Sequence, residues 1–130
     1  MKKLLLLLLL VPVFSFGQTA DDLNNRGNAK QDNKDYYGAI NDYSKAIELN
    51  PDIAYYYDNR GNAKNYLKDY YGAINDYSKA IELNPDYAYY SNRGIAKYNL
   101  NDIDGACKDL RKAISKGSTS NIEWINKNCY

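Results

Sequence analysis

Arginine recurs as Arg26, Arg60 and Arg93, and an aspartate follows each of them 16 residues later: Asp42, Asp76 and Asp109. Two chemistries fit that spacing. The three guanidinium groups could be presented together to an anionic ligand, because the arginine fork matches carboxylate and phosphate oxygens. Alternatively, each arginine is paired with its own aspartate inside the fold, since a buried arginine needs a paired anion. The repetition favours the structural pairing. Little else could react. There is no histidine, which removes Ser–His–Asp and Cys–His nucleophile systems and histidine-based metal sites. Cys107 and Cys129 are the only thiols, too few for an all-thiolate zinc site within one chain. No phosphate-binding loop of the form GxxxxGK[ST] is present. Most acids are aspartates reproduced at intervals, and none stands out as half of a glycosidase-type pair. The chain therefore reads as a non-enzyme with no cofactor and no metal.

Tyrosine is the remaining signal. There are 15, with runs at 55–57, 70–71 and 89–90. Tyrosine suits a helix–helix seam and a binding face equally. Three consecutive helical residues span about 200° of arc, so such a run must serve both core and surface.

These residues sit in a repeat. Residues 34–52, KDYYGAINDYSKAIELNPD, recur unchanged at 68–86, a shift of 34. A degenerate copy, NDIDGACKDLRKAISKGS, starts at Asn101, and the upstream half repeats as NRGNAK, NRGNAK and NRGIAK from Asn25, Asn59 and Asn92. That period belongs to helix–turn–helix units that stack on copies of themselves. First helices are expected over about 21–33, 54–67 and 87–100, and second helices over about 36–50, 70–84 and 103–116. Asp35, Asp69 and Asp102 suit the N-caps of the second helices. Pro51 and Pro85 end two of them, because proline disfavours helix at the preceding residue. Gly27, Gly61 and Gly94 fall inside first helices, where glycine costs about 1 kcal/mol. Their recurrence implies a neighbouring helix passing too close for a side chain, with Ala39, Ala73, Ala106, Ala46, Ala80 and Ala113 as the matching small residues.

The N-terminus is different in kind. Lys2 and Lys3 precede an apolar run at 4–14, and Ser15 and Gly17 are small. That is the pattern of a secretory signal peptide, read here as residues 1–17 with cleavage after Gly17. The run falls short of the roughly 20 residues a spanning helix needs, and Pro12 interrupts it. The expected location is exported, periplasmic or secreted, with no membrane anchor after cleavage. Loss of Lys2 and Lys3 leaves 15 basic residues against 16 acidic. That balance argues against nucleic acid or an anionic membrane as partner. Residues 18–130 suffice for one domain.

At this point the chain resembles the tetratricopeptide-repeat family, as a small exported bacterial-type member. The family's small–small packing signature falls on Gly61, Ala73 and Ala80, its aromatic on Tyr77 and its closing proline on Pro85. The first repeat matches through Gly27, Ala39, Tyr43, Ala46 and Pro51. The third departs: Leu110 replaces the aromatic and Ser118 stands in place of proline. The resemblance implies an all-α domain of three repeats, about 20–53, 54–86 and 87–118, forming a right-handed superhelix with a capping helix at about 120–128. It also implies a concave face, lined by the first helices, that binds an extended peptide or another protein. The family's groove positions fall on Asn24, Asn25, Asn28, Gln31 and Asp32, then on Tyr55, Asp58, Asn59, Asn62, Asn65 and Tyr66, and then on Ala88, Ser91, Asn92, Ile95, Tyr98 and Asn99. Asparagine donates and accepts, which suits peptide amides. A solvated helix face explains the same residues equally well. Asn28 and Asn59 match the asparagines of the branch that clamps chaperone C-termini, but Asn24, Ala88 and Asn92 replace its basic residues. A chaperone carboxylate is therefore rejected as ligand. The other readings are a carbohydrate or cell-wall binder using the tyrosines, and a weakly self-associating structural protein.

A solenoid must close its ends. The first helix, with Leu23 and Ala29 as its clear apolar side chains, is expected to cap itself. Residues 121–128 form the other cap, with Ile122, Ile125 and Cys129 on one stripe and Trp124 either folded over the last repeat or exposed. Cys107 takes the stacking position held by Ile40 and Ile74, facing that cap. An exported setting permits oxidation. A Cys107–Cys129 disulfide is expected, against the alternative of two thiols.

Overall fold

The computed structural model describes residues 17–130. The signal peptide read at 1–17 lies, Gly17 apart, outside the described residues. Seven helices follow in order among them: α1 (Ala20–Asp32), α2 (Tyr36–Leu49), α3 (Ala54–Tyr66), α4 (Tyr70–Leu83), α5 (Tyr87–Asn99), α6 (Ile103–Ser115) and α7 (Ile122–Asn128). Each packs on its neighbours in sequence. In addition α1 touches α3 and α3 touches α5, whereas α2, α4 and α6 do not touch one another. A two-layer stack with one layer in contact and the other splayed is curved, so α1, α3 and α5 line its inner face.

The turns inside the repeats do two jobs with three residues. α1 ends with Lys34 in the left-handed region (φ 62°). The Lys34 N–H donates to Gln31 O and the Asp35 N–H to Lys30 O, both at 2.8 Å, which is the Schellman pattern. The Asp35 carboxylate then accepts from the Gly38 N–H at 3.0 Å and caps α2. One aspartate thus closes one helix and opens the next. The same pair of devices recurs at Asp69 and Asp102. Gly38 is required by the cap: a Cβ there would sit 2.1 Å from the Asp35 carboxylate.

Between repeats, Pro51 and Pro85 follow the ends of α2 and α4. The third copy closes α6 by other means. Gly117 (φ 106°) and Ser118 donate to Ile114 O and Ala113 O, the same Schellman pattern as at Lys34, here with glycine in the left-handed position. Ser118, standing in place of proline, is buried.

Small residues and tyrosines make the core. Ala39, Ala46, Ala73, Ala80, Ala106 and Ala113 are all buried. Tyr43 and Tyr77 are fully buried and cross to the next repeat, Tyr43 packing with Ala39 and Ala63, and Tyr77 with Ala73 and Ala96. Gly61 shows why glycine recurs: its Cβ would lie 2.8 Å from the Tyr77 ring. The ring cannot retreat, because its hydroxyl is held by Asn62 at 2.7 Å. Gly61→Ala should therefore destabilise by about 1–2 kcal/mol through overpacking, although alanine alone would gain about 1 kcal/mol of helix propensity. Urea denaturation gives the sign; an unchanged or raised midpoint would show that the ring is free to move.

At the C-terminal end, α7 packs chiefly on α6. Cys107 and Cys129 are joined by a disulfide, with Cα atoms 5.7 Å apart. The apolar stripe expected on α7 needs correction. Ile125 is buried, but Ile122 is 45 % exposed, because the disulfide and Ile125 already set which face meets α6. Trp124 is half-buried, edge-on to Tyr98 with centroids 5.0 Å apart. On the outer layer, Ser44 and Ser78 each accept a hydrogen bond from the next repeat's arginine, Arg60 at 3.2 Å and Arg93 at 3.1 Å. The third copy has Arg111 at that position, exposed and donating to Cys129 O.

Candidate functional site: the inner face of the helix stack

The arginine–aspartate sets are seams between the two layers. Arg26 donates to both Asp42 oxygens, at 2.8 and 2.6 Å, Arg60 to Asp76 at 2.9 and 2.8 Å, and Arg93 to Asp109 at 2.8 Å twice. A third member joins each pair, one helical turn beyond the arginine: Lys30 to Asp42, Lys64 to Asp76 and Lys97 to Asp109, all at 2.8–2.9 Å. The repeated lysine was the available signal for it. The aspartates are buried, while the cations stay partly in water. The Arg26 guanidinium holds the Asp42 carboxyl at about 2, from an ordinary 3.8, against the opposing effect of burial and with help from Lys30. A depressed folded pKa contributes stability above pH 3.8 that is lost as pH falls toward 2. Wild type should thus lose stability over that window relative to Asp42→Asn. Acid titrations of the two by circular dichroism, which should converge at low pH, check this; parallel curves would contradict it.

These seams use every lysine and arginine of α1, α3 and α5. The three inner helices carry no cation outside these seams. Their inner face carries amides, acids and aromatic rings.

Several of the asparagines placed there by sequence are already engaged within the chain. Asn24 is buried and accepts from Asn59 at 2.9 Å. Asn28 and Asn62 accept the hydroxyls of Tyr43 and Tyr77, at 2.8 and 2.7 Å. Asn92 donates to Asp58 at 2.9 Å and Asn62 to the same carboxylate at 3.3 Å. Asp21, which sequence reasoning missed, accepts from Tyr55 at 2.8 Å and from Tyr56. These amides are thus already bonded within the chain: Asn24 with Asn59 and Asn92 with Asp58 register one repeat on the next, Asn28 accepts within its own repeat, and Asn62 both accepts from Tyr77 and donates to Asp58. Each amide has both donor and acceptor halves, so Asn28, Asn59 and Asn92 keep hydrogen-bonding capacity. Asn25 is exposed. Asn65 Oδ1 and Ser91 Oγ are buried with no hydrogen-bond partner among the described residues.

Exposed aromatic area occurs on both layers: Tyr37 and Tyr71 stand out on α2 and α4, and tyrosines of α3 and α5 do so on the inner layer. Tyr55, Tyr66 and Tyr98 are 44–61 % exposed, and Tyr66 stacks on Tyr36 at 4.8 Å. Burial raises the Asp58 carboxyl above its ordinary value, the amides of Asn92 and Asn62 oppose this, and the nearby charge of Asp86 adds to it. Burial likewise pushes the Tyr43 hydroxyl up to about 12.

The third repeat breaks the pattern with two replacements at once. Where repeats one and two bond Tyr43 to Asn28 and Tyr77 to Asn62, repeat three has Leu110 and Ile95. The hydroxyl and the amide that receives it disappear together. What remains is a small apolar notch lined by Ile95, Tyr98, Leu110, Asn121 and Trp124. Among the described residues no cluster of three or more His, Cys, Asp or Glu could hold a metal ion. No described helix is long and apolar enough to cross a membrane.

Comparison with known proteins bears on this architecture. The first TPR of Spaghetti (RPAP3), solved bound to the HSP90 peptide SRMEEVD, is similar with 30% identity and a TM-score of 0.78, covering 85% of this chain and 87% of its own. The Arabidopsis OM64 TPR domain is 29% identical with a TM-score of 0.78, covering 83% and 91%. The Sgt2 TPR domain from Aspergillus fumigatus is 27% identical with a TM-score of 0.76, covering 84% and 76%. The shared architecture is the all-α solenoid of helix–turn–helix repeats, and in this chain α7 follows the third repeat. No curated protein matches the chain. Family models for the tetratricopeptide repeat match residues 20–53, 54–87 and 87–115, and the chain belongs to that family.

Proposed function

We propose that the domain is a non-enzymatic protein–protein interaction module that holds an extended peptide segment of a partner along α1, α3 and α5. One observation carries this reading. The inner face exposes Tyr55, Tyr66 and Tyr98, while every cation of its helices faces the opposite seam. Exposed aromatic side chains at this density mark interaction surfaces. The similar structure of Spaghetti (RPAP3) is bound to an HSP90 peptide, which supports a peptide as the class of ligand. An acidic, carboxylate-ended peptide of that kind does not suit this chain. Asn24, Ala88 and Asn92 occupy the positions of the basic clamp, and Asn24 is buried against Asn59. Export to an oxidising compartment belongs to the same proposal, supported by the Cys107–Cys129 bond.

Selection from a random peptide library, followed by amide chemical-shift mapping of the enriched sequences, tests the reading. Shifts should gather on α1, α3 and α5, and Tyr55→Ala or Tyr66→Ala should weaken binding. Enrichment that maps to α2, α4 and α6 would refute the groove. Saturable glycan binding lost in the same two variants would replace the peptide with a carbohydrate.

A further inference from the structure

We infer that the C-terminal end of the inner face is a two-part recognition site for a peptide that places an aliphatic side chain two residues from a lysine or arginine. This rests on the proposed peptide-binding role of the inner face and names what it selects. The aliphatic part belongs to the notch between Ile95, Tyr98, Leu110 and Trp124. The notch measures about 70 Å³, room for one branched aliphatic group. Neither earlier repeat can form it, because there a tyrosine hydroxyl and an asparagine amide meet across the same position. Its outer wall, Trp124, is held by the helix that the disulfide fastens to α6.

The cationic part belongs to Asp58. Its carboxylate takes hydrogen bonds from Asn92 and Asn62, which leaves accepting capacity, since an ionised carboxylate has about four lone-pair sites. No lysine or arginine of α1, α3 or α5 is free to neutralise it, and Asp86 adds a second negative charge nearby. Asn92 and Ile95 are three apart on α5 and share a face. Asp58 therefore lies one to two helical turns from the notch, roughly 5–10 Å. Extended chain advances about 3.3–3.6 Å per residue and presents every second side chain to one side. Two residues is the spacing that reaches both parts. Charge complementarity thus runs opposite to that of an acidic peptide such as SRMEEVD.

Trp124 is the chain's single tryptophan, so its emission reports on the notch directly. Oxidised protein is titrated with flexible Gly/Ser peptides carrying leucine and lysine two residues apart. A saturable change in Trp124 emission is expected. Changing the peptide lysine to glutamate should weaken it by at least about tenfold, because like charges would meet. Changing the leucine to serine should abolish the emission change. Asp58→Asn should remove the preference for lysine over glutamate. The pair Ile95→Asn with Leu110→Tyr, which rebuilds the arrangement of the first two repeats, should remove the preference for leucine. The peptide exchanges and Asp58→Asn decide the matter even if that double variant folds poorly. Glutamate peptides binding as tightly as lysine ones, or indifference to the leucine, would overturn the inference. If peptides still map to α1, α3 and α5 in that case, the inner-face reading survives without it. If no peptide maps there, that reading falls as well.

Discussion

Asp76→Ala should cost the domain about 3 kcal/mol, the cost of leaving buried charge without its partner, and lower the melting temperature by about 10–15 °C. The carboxylate is 5 % exposed and is shared by Arg60 and Lys64. Removing it leaves two cations facing each other across a seam built for one anion. The reverse change is milder. Arg60→Ala leaves Lys64 on Asp76, at 2.9 Å, so the carboxylate is never alone. What goes is the bidentate bond and the link to Ser44, about 2 kcal/mol for hydrogen bonds to charged groups. The asymmetry is the diagnostic result, because a simple ion pair would give two equal losses. Chemical denaturation of both single variants and of the double variant yields the coupling. Small, additive effects would mean that the seam is a solvated face and would return the arginines to the anion-binding reading.

Reduction of Cys107–Cys129 should remove about 3 kcal/mol of loop-closure stabilisation, the two residues being 22 apart. The loss should be local. The backbone of α7 lies close to that of α6 alone, so beyond the disulfide the cap is held by Ile125 and by the contact of Trp124 with Tyr98 on α5. Reductant should expose Trp124 and shift its emission to the red. It should also abolish amide protection over α7 while leaving α1 to α4 protected. Alkylation of the non-reduced protein should add no label. Two labels per chain, or equal protection of α7 in both redox states, would remove the disulfide from its role.

Much of this architecture is legible in the residues alone, and the parts that are not share a cause. The helix pairs follow from the 34-residue shift, the N-caps from Asp35, Asp69 and Asp102, and a close approach at Gly61 from a glycine no helix would otherwise keep, although the group that approaches is the Tyr77 ring. The lysines at 30, 64 and 97 repeat as faithfully as the arginines. Yet a cation in the last turn of a helix needs no partner to be favourable there, so repetition alone does not reveal the seam. The Lys34 turn hides for a similar reason: the Schellman position usually shows itself by glycine, and here lysine occupies it. Asn24, Asn28, Asn59, Asn62 and Asn92 were the least readable. Their type says that they will bond, and only three-dimensional registration decides whether to a ligand, to their own repeat or to the next. The notch has a sequence signal, the joint change to Ile95 and Leu110. It becomes meaningful only once those two positions are known to touch in the other copies.

Arg111 has a consequence for how such a chain lengthens. Inside the stack, a serine at its position receives the following repeat's arginine. A further unit appended after α6 would bring guanidinium against guanidinium and would have to displace the disulfide-bound α7. Growth at that end is blocked by charge and by a covalent bond. Growth in the middle is not, because the segments at 34–52 and 68–86 are identical and either one accepts the same neighbour. A duplicated 34-residue cassette inserted between them would meet surfaces it already fits. Gene duplication can therefore lengthen the groove in whole-repeat steps while both ends, notch included, pass unchanged to the longer descendant.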